Sequence, residues 1–469
     1  MFLLMTIVFV LGIAAIAFEE KTKINKSAVA LFMALSMWLM LMFGAHDILV
    51  VRENASFAEF LRQFPEIAKL PLHEQFVKFI AEHSVITHLG DVSETLFFVM
   101  SSMLIVNIVD KHGGFHAMTD GITTNSKRKL LWIICLSTFF FSALLDNLAA
   151  SIVIIAILRK LVPERTDRLK YACMVIISAN AGGSWSPIGD VTTILLWVGK
   201  NLSAPHQIAH LILPAFFNMF VPLCIAHFWL FKKDSELRKS RKIEDEDEYA
   251  NHIPAHSRKI IFCIGILSLA LVPVFQTVTS LPPFMGVLLG LVALWIYTDL
   301  MYSHLKDIPE RKKLRISQLL PEVDLATIFF FLGILLSVGA LNTAGQLGLA
   351  SEFLDAEVHS PHIIAFTIGL LSSLIDNVAL VAATMGMYSI QPEVAGMSEY
   401  AMNFVSDGSF WTLLAYCAVT GGSILIIGSA TGVTVMGLEK IDFMYYTKRF
   451  SILALMGYLS GAGVYLLIG

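Results

Sequence analysis

The chain has 469 residues, 56% of them hydrophobic and only 15% charged, against about 25% charged in ordinary soluble domains. The formal net charge is −4, which says nothing about nucleic acid because the charges sit in loops between the apolar runs. Apolar runs of about 17–25 residues, each long enough to cross roughly 30 Å of hydrocarbon, recur along the whole length.

The first run, residues 2–18, reads as a transmembrane helix rather than a removed signal, because no basic residue precedes it and no small-residue cleavage site follows. A second covers 27–43. Residues 44–93 read as a long external connection, amphipathic around Phe57–Phe79, with a helix lying in the membrane interface. Further runs cover 94–109, 130–158, 169–199, 207–230, 260–279, 283–301, 324–343, 362–390, 409–436 and 450–468. Glu94 reads as the residue that opens the helix at 94–109, after a Gly90-Asp91 turn. The acidic run Glu244–Glu248 reads as a solvated stretch of the longest connection. The five cysteines lie in apolar stretches without metal-ligand spacing and read as small core residues.

Charge gives the sidedness. The connections 19–26, 110–129, 159–170, 231–259, 302–322 and 437–449 hold 28 of the 33 Lys and Arg residues, while 344–361 and 391–408 hold none. The positive-inside rule puts the first group in the cytoplasm. Run 130–158 then has both flanks cytoplasmic, and run 362–390 has both external. Each is about 29 residues, too short for two crossings, which need about 40. Each is therefore read as a re-entrant helical hairpin, tolerated where protein or a water-filled cavity surrounds its tip. About ten full crossings remain, with both termini outside.

The halves repeat. The hairpin centres read Ser142-Ala-Leu-Leu-Asp146-Asn147 and Ser372-Ser-Leu-Ile-Asp376-Asn377. The runs that follow are broken at Gly182-Gly-Ser-Trp-Ser-Pro-Ile-Gly-Asp190-Val-Thr192 and Gly421-Gly-Ser-Ile-Leu-Ile-Ile-Gly-Ser429-Ala-Thr431. Upstream, Thr95-Leu-Phe-Phe matches Thr327-Ile-Phe-Phe. One half starts outside and the other inside, so the repeats are inverted. Inverted repeats with Gly/Pro-broken segments point to a secondary transporter with its site at the midplane. The fold class is thus an all-α polytopic membrane protein of two inverted repeats, each with a re-entrant hairpin and a broken transmembrane helix. Residues 1–93 hold the N-terminal helices and interfacial segment, 94–230 the first repeat, 231–259 a charged cytoplasmic loop, 260–323 linking helices and 324–469 the second repeat.

Three carboxyls, Asp146, Asp190 and Asp376, stand at the breaks beside oxygen donors: Asn147, Asn180, Ser184, Thr192, Thr193, Ser372, Asn377, Ser423 and Ser429. Hard cations prefer oxygen, and broken helices add free carbonyls. A carboxyl withdrawn from water is stabilised by a proton or by a cation. One carboxylate that binds either, but not both, couples the two fluxes, which is the minimal antiport mechanism. Na+ is assigned to Asp146, Asn147, Asp376 and Asn377. Ser142 and Ser372 precede the tip aspartates by four residues, which on helical backbone puts hydroxyl and carboxyl on one face. The Asp-Asn pairs are also good helix N-caps, a structural role that leaves cation binding open. Glu94, Ser142, Ser184, Ser423 and Ser429 are secondary candidates, and His88 and His206 are candidates for pH sensing. Asp190 aligns with Ser429, so the first half supplies two carboxylates and the second one. No P-loop is present and no cofactor is implied, so the chain reads as a carrier of ions, not an enzyme.

At these motifs the sequence resembles the NhaD-type sodium/proton antiporters of the ion-transporter superfamily, from about Leu89 onward and most strongly over Ser142–Ser151, Ser178–Thr193 and Ser372–Val381. The resemblance implies a multi-pass protein of the bacterial inner (plasma) membrane, a homodimer, and export of Na+ or Li+ against proton entry. It assigns transport roles to Asp146, Asn147, Asn180, Asp190, Thr192, Thr193, Ser372, Asp376 and Asn377. The wider superfamily is similar to sodium-coupled divalent-anion symporters with Ser-Asn-Thr tips. Here Asp replaces that Ser in both tips, which argues against an anionic substrate. The symporter remains the alternative reading, and an ion channel a more distant one.

Overall fold

The computed structural model describes residues 1–17, 19–114, 124–231, 253–305, 313–394 and 396–468, and the acidic run Glu244–Glu248 lies outside them. Among these residues the secondary structure is helical, with one isolated bridge between Gln391 and Val405. The longer α-helices, numbered in chain order, are α1 (Phe2–Ala17), α2 (Lys26–Phe43), α3 (Ala55–Gln63), α4 (Val85–Lys111), α5 (Lys127–Leu145), α6 (Asn147–Leu161) and α7 (Arg165–Ser184). Next come α8 (Val191–Val198), α9 (Ala204–Trp229), α10 (Ala255–Ala270), α11 (Val272–Thr279), α12 (Pro283–His304) and α13 (Leu325–Thr343). The last are α14 (Gln346–Val358), α15 (Pro361–Leu371), α16 (Asn377–Met387), α17 (Ser409–Gly421), α18 (Ala430–Glu439), α19 (Phe443–Arg449) and α20 (Ser451–Ile468). Seven helical segments among the described residues are long and apolar enough to cross a membrane, and the bent pair α10–α11 makes an eighth. That pair turns by 47° just before Pro273, which cannot donate the hydrogen bond a continuous helix needs. Four shorter helices, including α15, α16 and α17, are also apolar.

The chain divides into two units. The first holds residues 1–96, 324–364 and 378–405. Its centre is α2 against α13. Gly333 lies on the backbone of Ala30, Trp38 Nε1 donates to the Leu336 carbonyl at 3.0 Å, and Ser27 Oγ donates to the Ala326 carbonyl at 2.6 Å. Asn25 caps α2 by accepting from Ser27 N at 2.8 Å, and Asp324 caps α13 by accepting from Thr327 N at 3.2 Å.

One expectation in this unit is corrected. Glu94 does not open a helix. α4 begins at Val85, so Gly90 and Asp91 are helical and Glu94 sits inside. A glycine within a helix costs only about 1 kcal/mol relative to alanine, which a helix 27 residues long absorbs. Around Phe57–Phe79, Phe57 and Phe60 are buried against Phe79, with ring centroids 5.2 Å away in each case, while Phe64 is 43% exposed.

The second unit holds residues 97–323, 365–377 and 406–469. At its centre is α7, packed against α5, α6, α9, α17 and α18. α5 and α6 pack on each other as a hairpin whose tip is Asp146. α7 breaks after Ser184 and resumes as α8, while α17 breaks after Gly421 and resumes as α18. The runs predicted at 130–158, 169–199, 362–390 and 409–436 are thus each two helices around a break.

Candidate cation site

The two motif pairs make the same contacts. Ser142 Oγ donates to the Ala179 carbonyl of α7 at 2.5 Å, and Ser372 Oγ donates to the Ala418 carbonyl of α17 at 2.6 Å. Gly182 lies on the backbone of Phe139, and Gly421 on that of Gly369. A Cβ at either position would collide with main chain, so the close approach requires glycine twice. Asp190 caps α8 by accepting from Thr192 N at 2.8 Å, and Ser429 caps α18 by accepting from Gly432 N at 3.1 Å. The alignment of Asp190 with Ser429 therefore holds in space.

Ser142 does not share a face with Asp146. Helix α5 ends at Leu145, and Asp146 leaves it with φ 75° and ψ 160°. From that position Asp146 caps α6, its carboxylate accepting from Ala149 N at 2.9 Å. The Asn147 amide N–H donates across to the Gly189 carbonyl at 2.9 Å and so ties the hairpin tip to the break of α7.

Asp190 is the hub, 3% exposed. Its carboxylate accepts from Thr192 N, from Thr192 Oγ1 at 2.7 Å, from Asn147 Nδ2, and from Asn377 Nδ2 at 3.3 Å to each oxygen. Thr193 completes a capping box, its hydroxyl accepting from Asp190 N at 3.2 Å. Asn147 Nδ2 also donates to Asn180 Oδ1 at 3.0 Å. Asn180, fully buried, donates to Ser423 Oγ at 2.8 Å and Ser429 Oγ at 3.0 Å. A continuous buried chain thus runs from Asn377 through Asp190, Asn147 and Asn180 to Ser423 and Ser429. Asp146 and Asp376 both interact electrostatically with Asp190. Among the described residues the hydrogen-bond partners of Asp190 are uncharged, and none supplies the hub with a fixed counter-ion.

The sequence candidates divide accordingly. Asn147, Asn180, Asp190, Thr192, Thr193, Asn377, Ser423 and Ser429 join one network, with Asp146 and Asp376 within electrostatic reach of its hub. Ser142 and Ser372 hold the tips to the broken helices. The Ser184 hydroxyl turns back to its own helix, onto the Ala181 carbonyl at 2.8 Å. His206 lies in α9, stacked on His210 with centroids 3.9 Å apart and within 3.1 Å of Thr412 Oγ1. His88 and Glu94 belong to the other unit, where His88 Nε2 is 3.2 Å from Thr343 Oγ1.

Two residues were missed. Gln207 Nε2 donates to the Ser184 carbonyl at 3.2 Å, and Tyr446 OH donates to the Ser423 carbonyl at 2.7 Å. Ser184 and Ser423 are equivalent in the repeat, so each break has its freed carbonyl satisfied from a later helix. The available signal was a lone polar group within an apolar face: Gln207 is fully buried, and so is Tyr446.

A family model described as citrate transporter matches residues 13–405. "Sodium/proton antiporter 1" of Arabidopsis thaliana is 41% identical over 464 residues, covering 99% of this chain and 72% of its own length. "Sodium/proton antiporter 2" of the same plant is 38% identical over 99% of both chains. "Na(+)/H(+) antiporter NhaD" of Alkalimonas amylolytica is 24% identical, over 98% of this chain and 89% of its own.

Proposed function

The chain belongs to the membrane-transporter family of the citrate-transporter model, alongside the plant and NhaD antiporters it matches, and from that premise we propose that it exchanges Na+ or Li+ for protons. The observation that carries this reading is the uncompensated buried carboxylate. Asp190 has amide and hydroxyl partners from both repeats, two further aspartates within electrostatic reach and, among the described residues, no fixed cation. Burial of such a charge is costly unless it is paired or neutralised. A proton and Na+ each neutralise it, and they exclude one another.

In this reading Na+ binds among Asp146, Asn147, Asp190, Asp376 and Asn377. Their amides turn carbonyl oxygen toward the ion while Thr192 and Thr193 hold Asp190 in place. Protonation of the aspartates releases it. The repeats are inverted about the site, and the short apolar helices join the long ones to give about ten crossings and two re-entrant hairpins. Cytoplasmic Na+ leaves against entering protons. A homodimer in the bacterial inner membrane belongs to the same proposal.

The family description favours a second reading, anion transport. Helix N-termini at a break are suited to anions. Here, however, α6 and α8 are capped by Asp146 and Asp190, whose carboxylates occupy the N–H groups an anion would need. Everted vesicles carrying a pH gradient test both readings. Na+ or Li+ is expected to collapse the gradient, while K+ and citrate leave it intact. Collapse by citrate with Na+, and not by Na+ alone, would overturn the exchange reading.

A further inference from the structure

Three arginines and one acid meet at the far end of two helices that carry the site. Glu439 is the last residue of α18, and its side chain is 2% exposed. Arg159, in the last turn of α6, donates Nε to Glu439 Oε1 at 2.7 Å. Arg168, near the start of α7, donates Nε to Glu439 Oε2 at 2.8 Å. Arg159 also donates to the Leu438 carbonyl, and Arg165 to the Lys440 carbonyl at 3.2 Å. The end of α18 is thus gripped by the elbow between α6 and α7.

The stability of α18 alone does not explain Glu439. An acid at a helix C-terminus faces the negative end of the helix dipole, where a base is favoured. A buried ion pair is often no more stable than well-packed apolar side chains. What the arrangement does supply is register. α6 and α18 pack along one another. Asn147 opens α6 within the network, and Ser429 caps α18 within it. Both helices therefore start at the site and end at the clamp, about 15–18 Å away at 1.5 Å per residue.

We propose that Glu439 is a positioning residue for the cation site: with Arg159 and Arg168 it fixes the register of α6 against α18, and so the spacing between Asn147 and Ser429 that Asn180 bridges. The proposal rests on the cation-exchange reading above. A slip of one residue moves a helix start by about 1.5 Å, enough to break the 3.0 Å hydrogen bonds on either side of Asn180.

The test uses the purified full chain with Na+ as the probe. Half-saturating Na+ is read twice, from thermal stabilisation in detergent and from Na+-driven proton flux in proteoliposomes. Glu439→Gln is expected to raise it about tenfold in both, the order seen when a group supporting a metal ligand is removed, with maximal flux little changed. Glu439→Asp, which keeps the charge, is expected to recover part of the shift. If Glu439→Gln fails to accumulate, Arg159→Lys, which keeps the charge and loses the fork, is expected to shift half-saturation in the same direction by less. A responsive wild type with unshifted folded variants would overturn the positioning role alone. A wild type that does not respond to Na+ would overturn the cation reading and this role with it.

Discussion

Asp146 is held at φ 75° and ψ 160°, backbone that is almost reserved for glycine. Such a conformation costs about 1–3 kcal/mol in a residue with a side chain. The cap to Ala149 N returns about 1 kcal/mol of that. Stability alone would therefore place glycine at this tip, and the carboxylate is kept at an energetic cost. Asp146→Gly and Asp146→Ala both remove the acid and the cap, but only glycine relieves the strain. Both variants are expected to lose exchange, with the glycine protein more stable than the alanine protein by about 1–3 kcal/mol in thermal unfolding. Equal stability would show that the tip stores no strain. At this scale the sequence disclosed the polar residues, because Asp, Asn and Thr stand out in apolar runs. It did not disclose their partners. The Ser142 hydroxyl serves the Ala179 carbonyl, 37 positions away, and Gln207 serves Ser184, because neighbouring helices bring those carbonyls within reach.

Helices were legible wherever apolar length marked them, and their breaks wherever Gly, Pro and Asp clustered. Glu94 went wrong for a physical reason: a rise in hydropathy after residue 93 looks like a helix start, but the polar turn before it extends the helix instead of ending it. At the other end of α4, His112 shows how an element is fastened. Its Nδ1 is 2.7 Å from the Ile108 carbonyl and so carries the proton, leaving Nε2 to accept from Tyr302 OH at 3.0 Å. Burial lowers its pKa from 6.5 to about 4, against the smaller upward pull of the Ile108 carbonyl. The unfolded chain protonates this group below 6.5 and the folded chain only below about 4. Stability is therefore full above that window and falls as pH drops through it, by at most roughly 3 kcal/mol. Thermal unfolding between pH 7 and pH 4 is expected to show this loss, and His112→Gln to flatten it. An identical pH dependence in the variant would place the loss elsewhere.

For the whole molecule, two motifs recur in the same order in the sequence, and the contacts of Ser142 with Ala179 and Ser372 with Ala418 match that order. The division into two units was not readable, since the first unit gathers three stretches remote in sequence. The repeat is also imperfect where the chemistry is concentrated. Asp190 corresponds to Ser429, and Thr192 donates to a carboxylate while the Thr431 hydroxyl finds no side-chain or backbone partner among the described residues. Two of the three carboxyls thus stand with the first pair of motifs, at Asp146 and Asp190. Exchange in the proposed reading requires competition between Na+ and protons for those carboxylates. Its most direct test is the pH of a weakly buffered solution of the purified protein when Na+ is added. We predict that Na+ releases protons from the wild type and none from Asp190→Asn. Na+ binding without proton release, or equal release from the variant, would contradict it.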